Sequence, residues 1–203
     1  MYELADNRKD WLDNVITEEK INGKIYLMAR PSINHMRTQR NICDIFESFF
    51  RKTGRDCEAI FEAELDAGKG DYVVPDVMVL CYSQQDGGGK IPLIVIEVLS
   101  KSTRTKDLRE KMELYANLGV KEYWIADYNN LSVDIYILDE TARHYKAHSS
   151  YSYFLDEDFP KDKQRRAKEE EKVIKEFSPV LFPELIIKVE DIFYRVIPKQ
   201  NTI

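Results

Sequence analysis

The sequence predicts a single α/β domain, and three observations support this. Apolar runs of strand length recur along the chain, two segments have the periodicity of amphipathic helices, and 203 residues suit one domain. The apolar fraction is 43% and the charged fraction 33%, which is typical of a globular protein. We therefore expect one domain over residues 1–203, with a charge-dense insert near 156–176 that we interpret as a solvated helix or loop.

The first part of the chain is predicted to form a hairpin, a helix and two strands. Asn22-Gly23 is a typical hairpin turn pair between two short strands in 16–32. Residues 35–52 form an amphipathic helix, and His35 and Gln39 lie at the N-terminal end of its apolar face. Two strands follow, in 57–65 and 72–80, on either side of a turn-like stretch.

The second part is predicted to alternate between strands and a helix. The apolar run 91–100 is a strand that contains Glu97, and 107–119 is a helix closed by Gly119. Strands in 122–128 and 132–138 come next. Residues 185–196 return to an apolar pattern that is expected to close the core.

Two carboxylates interrupt apolar strands and are the first candidates for chemistry. Glu97 lies in the middle of "IPLIVIEVLS", and Asp76 lies within "VVPDVMVL". An unpaired buried carboxylate costs several kcal/mol, so each must be protonated, paired or bound to a cation. If neighbouring strands bring the two together, a hard divalent ion such as Mg²⁺ or Mn²⁺ satisfies both.

The helix after Glu97 supplies a third candidate. On a wheel of 100° per residue, Asp107 and Lys111 fall within the apolar, core-facing arc, four residues apart. A lysine directed from this helix toward the Glu97 strand could orient a water or stabilise a developing negative charge. The alternative is a capping aspartate with its i+4 partner.

The segment between Glu97 and the helix is locally basic. From Ser100 to Lys111 it holds five basic and two acidic residues, a net charge of +3, together with four hydroxyl side chains. Cations and small hydroxyls suit phosphate contacts, and a solvated loop is the alternative. The candidate nucleic-acid contacts here are Ser100, Lys101, Thr103 and Arg104.

Composition excludes several classes of protein. A net charge of −6 argues against a generic nucleic-acid coating protein but permits an enzyme with one basic face. No apolar run approaches the length of a membrane helix, and the N-terminus lacks the apolar region of a secretion signal. Three cysteines without metal-type spacing predict reduced thiols in a cytoplasmic protein.

The block 92–127, with "VVPDVMVL" and "NGKIYLMARPSINH", resembles the Uma-two family of bacterial restriction endonucleases. This family is a branch of the PD-(D/E)XK nuclease superfamily. The resemblance covers about Glu18 to Phe193 and implies a central mixed sheet flanked by helices, with a divalent metal that cleaves a phosphodiester in DNA.

The resemblance also assigns roles to the candidate residues. Asp76 matches the aspartate of the "PD" element, and Glu97 matches the acidic residue of the (D/E)XK element. The position two after Glu97 is Leu99 rather than lysine, and the resemblance implies that the lysine role has moved to Lys111. Asp76, Glu97 and the Val98 carbonyl are then the expected ligands of Mg²⁺ or Mn²⁺, with Asp107 holding Lys111. His35 matches a family histidine before the first helix, and His35 and Gln39 are expected to bind nucleic acid.

Three functions remain open on the sequence alone. The first is a metal-dependent DNA endonuclease, favoured by the set of Asp76, Glu97 and Lys111. The second is a catalytically inactive nuclease-fold protein that binds nucleic acid or has a structural role, favoured by the net charge and by Leu99. The third is a metal-dependent hydrolase acting on a small phosphorylated compound. A homodimer is possible under the first, because many nucleases of this fold pair to cut two strands.

Overall fold

The computed structural model describes residues 18–28, 30–83, 88–99, 107–153 and 175–197. The helices are α1 (Ile33–Thr53), α2 (Met112–Leu118) and α3 (Val189–Ile192), and a π-helical turn, Asp107–Lys111, leads directly into α2. The strands in chain order are β1 Glu18–Ile21, β2 Lys24–Leu27, β3 Cys57–Phe61, β4 Leu65–Gly68, β5 Asp71–Val73, β6 Val77–Cys81, β7 Ile94–Val98, β8 Glu122–Asp127, β9 Ser132–Asp139, β10 His144–Ser152, β11 Glu176–Phe177 and β12 Ile187–Lys188.

The main sheet has six strands in the order β10-β9-β8-β7-β6-β3. It is mixed, because β7 and β8 run parallel whereas the other neighbours are antiparallel. Helices lie against both of its faces, so the predicted central mixed sheet flanked by helices is confirmed.

Alternation along β7 divides the core into two layers. Ile94, Ile96 and Val98 pack into the cluster that contains the apolar face of α1. Val95 belongs to the opposite cluster, which contains residues of α2 and of a second sheet. Successive strand residues point to opposite faces, so Glu97 is directed into this second layer.

A four-stranded second sheet, in the order β2-β1-β5-β4, was not predicted. The hairpin turn within this sheet was predicted correctly. Asn22 and Gly23 both have positive φ, at 54° and 76°, as a tight hairpin turn requires. The single strand expected over 72–80 is in fact two strands, β5 and β6, in different sheets. Pro75 lies between them and has no N–H for a sheet ladder, so the chain leaves one sheet and enters the other there.

Two further elements differ from the sequence-based expectation. β10 is a nine-residue strand in a stretch to which the sequence analysis assigned no structure, and it pairs with β9 along its length. The helix expected over 107–119 begins with the π-helical turn and ends at Gly119, whose φ is +91°. The insert predicted near 156–176 lies almost entirely outside the described residues. Among the described residues no helix is long and apolar enough to cross a membrane.

The cysteines correct one prediction. Cys57 and Cys81 face each other across β3 and β6 and form a disulfide, whereas Cys43 is a buried free thiol. Sequence spacing could not show that two cysteines 24 residues apart become cross-strand partners. The prediction of three reduced thiols is therefore wrong for this pair. A cytoplasmic location stays a prediction.

Thiol titration checks this pairing. Burial raises the pKa of Cys43 to about 12, with smaller contributions from Asp44 and Glu47, so the folded chain should react negligibly at pH 8. Unfolding in denaturant without reductant should expose one thiol per chain, and prior reduction should expose all three cysteines. Three thiols in the unreduced, unfolded chain would contradict the disulfide.

Candidate active site

Asp76 lies at the junction of the two strands that the sequence analysis expected to meet. It directly precedes β6, which pairs antiparallel with β7 through Val77 opposite Ile96. Its Oδ2 accepts a hydrogen bond from the backbone N–H of Val98 at 2.6 Å. Asp76 is therefore hydrogen-bonded to the residue that follows Glu97; Glu97 lies on β7, and Asp76 lies directly before the neighbouring strand β6.

The first turns of α1 supply the other partners of Asp76. The Nε2 of Gln39 donates to Asp76 Oδ1 at 3.1 Å, and the Nε2 of His35 lies 3.3 Å from Asp76 Oδ2. The helix is positioned for this by Ser32, whose Oγ accepts from the His35 N–H and caps the N-terminus. Gln39 Nε2 also lies 3.3 Å from Glu62 Oε1, and Glu62 has a positive φ of 51°. His35 and Gln39, predicted as nucleic-acid contacts, are thus both hydrogen-bonded to Asp76.

Charge and burial act in opposite directions on this pair. Burial disfavours the ionised forms of both groups, but the hydrogen bond and charge of each partner outweigh it. The pKa of Asp76 lies below its ordinary value, helped also by Lys111 and the Val98 N–H. The pKa of His35 lies above its ordinary value, mainly through Asp76. His35 Nδ1 is buried and has no hydrogen-bond partner among the described residues.

Glu97 is buried, at 2% exposure, and is paired. Its Oε1 lies 2.9 Å from Lys111 Nζ and accepts a hydrogen bond from the Tyr115 hydroxyl at 2.7 Å. Burial, followed by the charge of Glu97, raises the pKa of Tyr115 well above its usual range, so the hydroxyl stays a donor. The burial of Glu97 in this strand is therefore explained in part by its ion pair with Lys111.

Lys111 is 1% exposed and connects the two sheets. Besides Glu97 on β7, its ammonium contacts Glu19 Oε1 on β1 at 2.6 Å. Lys111 ends the π-helical turn, a local widening of the helix that occurs often at functional sites. The side chain of Asp107, which was expected to hold Lys111, lies outside the described part of the structure.

Glu19 was missed by the sequence analysis. It is fully buried, at 0% exposure, and its Oε1 also accepts a hydrogen bond from the Val74 N–H at 3.1 Å. The signal was present, because Glu19 is two residues before the buried Ile21 and so shares its strand face. A face shared with one apolar residue in a four-residue strand did not by itself show that the glutamate is buried.

The structure gives less information on the other residues predicted for the site. Val98 donates its N–H to Asp76, and the role of its carbonyl as a metal ligand stays a prediction. Ser100, Lys101, Thr103 and Arg104 lie outside the described residues. Within the described ranges, no three His, Cys, Asp or Glu side chains are grouped so that they could hold one metal ion.

The buried groups carry unbalanced charge. Glu19, Asp76 and Glu97 are three buried carboxylates, and the buried Lys111 contacts two of them, Glu19 and Glu97. The formal charges of these four groups sum to −2, and protonation of the neighbouring His35, whose pKa is raised, brings the sum to −1. Burying such an excess is costly unless a cation or a proton compensates it.

The fold is that of a solved protein described as a "putative nuclease belonging to DUF820", from Anabaena variabilis. The match has a TM-score of 0.62 and covers 91% of this chain and 96% of that one. Sequence identity over the match is 19%, so this likeness concerns the fold alone.

The sequence comparisons identify the family. The family model Uma2, described as "Putative restriction endonuclease", matches residues 11–161. The chain therefore belongs to the Uma2 family, as its resemblance predicted. It is also 30% identical over 125 residues to the uncharacterized protein slr1290 of Synechocystis sp., a match that spans 58% of this chain and 64% of that protein, less than two thirds of its length.

Proposed function

We propose that the chain is a metal-dependent endonuclease that hydrolyses phosphodiester bonds in DNA, with Asp76, Glu97 and Lys111 as its catalytic residues. The observation that carries this proposal is the buried charge excess: Glu97 and Glu19 contact the buried Lys111, and Asp76 is buried beside the Glu97 strand. The Uma2 family description supports a nuclease reaction and hence a nucleic-acid substrate.

The residues present fit a hard divalent cation. The net negative charge of these groups, −2 with His35 neutral or −1 with His35 protonated, favours a cation such as Mg²⁺ or Mn²⁺. Mg²⁺ is commonly held by one or two carboxylates and keeps several waters, so a set of three converging acidic or histidine ligands is not required. Asp76 and Glu97, with the Val98 carbonyl, would hold the ion. When bound, it would lower the pKa of a water and neutralise phosphate charge.

Lys111 is proposed to act on the reacting groups through its charge. The two carboxylates beside it favour the ammonium form, although burial alone would favour the neutral amine. A charged donor fixed at this position stabilises negative charge that develops on a phosphate or water oxygen. Asp107 keeps its proposed role of holding Lys111.

DNA contact is proposed for the basic segment after β7. Ser100, Lys101, Thr103 and Arg104 follow the strand that carries Glu97 and would contact phosphates flanking the cleaved one. His35 and Gln39, which contact Asp76, are proposed to bind the DNA as well. A homodimer and a cytoplasmic location belong to this proposal as well.

The test is cleavage of supercoiled plasmid by the purified chain with Mn²⁺ or Mg²⁺, and with chelator as control. We expect nicked or linear DNA with the metal and none with the chelator, because the proposed ion neutralises the phosphate. Retained DNA binding without cleavage under any divalent ion would instead support the inactive, nucleic-acid-binding alternative. Hydrolysis of small phosphate esters without DNA cleavage would support the small-molecule hydrolase.

A further inference from the structure

Lys111 has two buried carboxylate partners that come from different sheets. Glu97, on β7 of the main sheet, is a proposed ligand of the cation. Glu19, on β1 of the second sheet, is held by the Val74 N–H, on the segment that leads to Asp76. A cation that binds Glu97 competes with the ammonium for the same carboxylate, and like charges repel at such short range.

We infer that Glu19 is a positioning residue that holds the Lys111 side chain in the site when a cation occupies Glu97. This inference rests on the proposed function. The carboxylate of Glu19 has the shorter contact with Lys111, 2.6 Å against 2.9 Å for Glu97, and its own position is fixed by a backbone donor. The lysine therefore retains a buried anionic partner after Glu97 turns to the metal.

The kinetic test uses Glu19→Gln, which keeps the shape and an acceptor for the Val74 N–H but removes the charge. We expect kcat for plasmid cleavage to fall about 10- to 100-fold, as for partners that orient groups in metal sites. KM for DNA should be unchanged, and Mn²⁺ affinity by calorimetry should fall much less than in Asp76→Asn, since Glu19 is not a proposed ligand. Glu18→Gln is the matched control, because the neighbouring glutamate pairs with Tyr72 rather than Lys111 and should leave kcat unchanged.

A second measurement does not depend on activity. A double-mutant cycle of Glu19→Gln and Lys111→Met, read from denaturant unfolding, measures the coupling between the two side chains. We expect a stabilising coupling energy without metal and a larger one with Mn²⁺. When Glu97 binds the ion, its contact with Lys111 weakens, and Glu19 becomes the main anionic partner of the lysine.

The outcomes separate this inference from the proposed function. Wild-type kcat in Glu19→Gln, or coupling that does not rise with Mn²⁺, overturns the positioning role. Loss of Mn²⁺ binding in Glu19→Gln overturns it too, because Glu19 would then be a ligand. If the wild-type chain cuts no DNA but the double-mutant cycle shows larger coupling with Mn²⁺, the nuclease proposal is refuted and the positioning role of Glu19 is supported.

Discussion

Replacing Lys111 by methionine should destabilise the fold by about 3–5 kcal/mol, the usual cost of removing one partner from a buried ion pair. The variant keeps most of the apolar stem, so packing changes little. It leaves Glu19 and Glu97 buried without the ammonium that lies within 2.9 Å of both. The measurement is equilibrium unfolding in urea at neutral pH, without divalent ions.

Two comparisons isolate the effect of buried charge. Lys121→Met removes a lysine from an exposed pair with Glu140, and such surface pairs contribute only about 0–1 kcal/mol. Adding Glu19→Gln and Glu97→Gln to Lys111→Met should recover much of the lost stability, because no uncompensated charge then remains at these positions. A Lys111→Met chain as stable as the wild type would mean that the carboxylates take up protons at little cost, and the charge argument would fail.

Replacing Asp76 by asparagine should abolish tight metal binding and, with it, DNA cleavage. We expect Mn²⁺ affinity by calorimetry to fall by more than about 100-fold, beyond the 10- to 100-fold typical of residues that only support a ligand. Asparagine is nearly isosteric and retains an oxygen that can accept from the Val98 N–H. Asp44→Asn, on the exposed side of α1, is the control and should bind metal normally.

The same variant has a pH signature in the absence of metal. Because the pKa of Asp76 lies below its ordinary 3.8, its ionised form contributes stability that is present above that value and lost as pH falls through the folded pKa. Asp76→Asn should therefore weaken the dependence of unfolding free energy on pH at the acid end. Unaltered metal binding in Asp76→Asn would remove Asp76 from the proposed ligand set.

The sequence alone determined those features of the protein that depend on the residue pattern within a single helix, strand or turn. The heptad-like apolar spacing of 35–52 predicted the long helix α1, and Asn22-Gly23 predicted the β1–β2 hairpin. A lone glutamate in an apolar strand marked Glu97, and its burial follows from β7 being central in the sheet. The position of Lys111 on an apolar helix face likewise predicted that its side chain is buried.

Only the tertiary structure decided which distant residues meet. The chain passes from one sheet to the other at Pro75, so the stretch 72–80, predicted as one strand, contains parts of two strands with different neighbours. Glu19 reaches Lys111 because β1 pairs with β5, and Cys57 reaches Cys81 because β3 pairs with β6. Strand pairing across long stretches of chain depends on the summed packing of whole layers rather than on local spacing. The second carboxylate partner of Lys111 was therefore not predictable from the residues around either group.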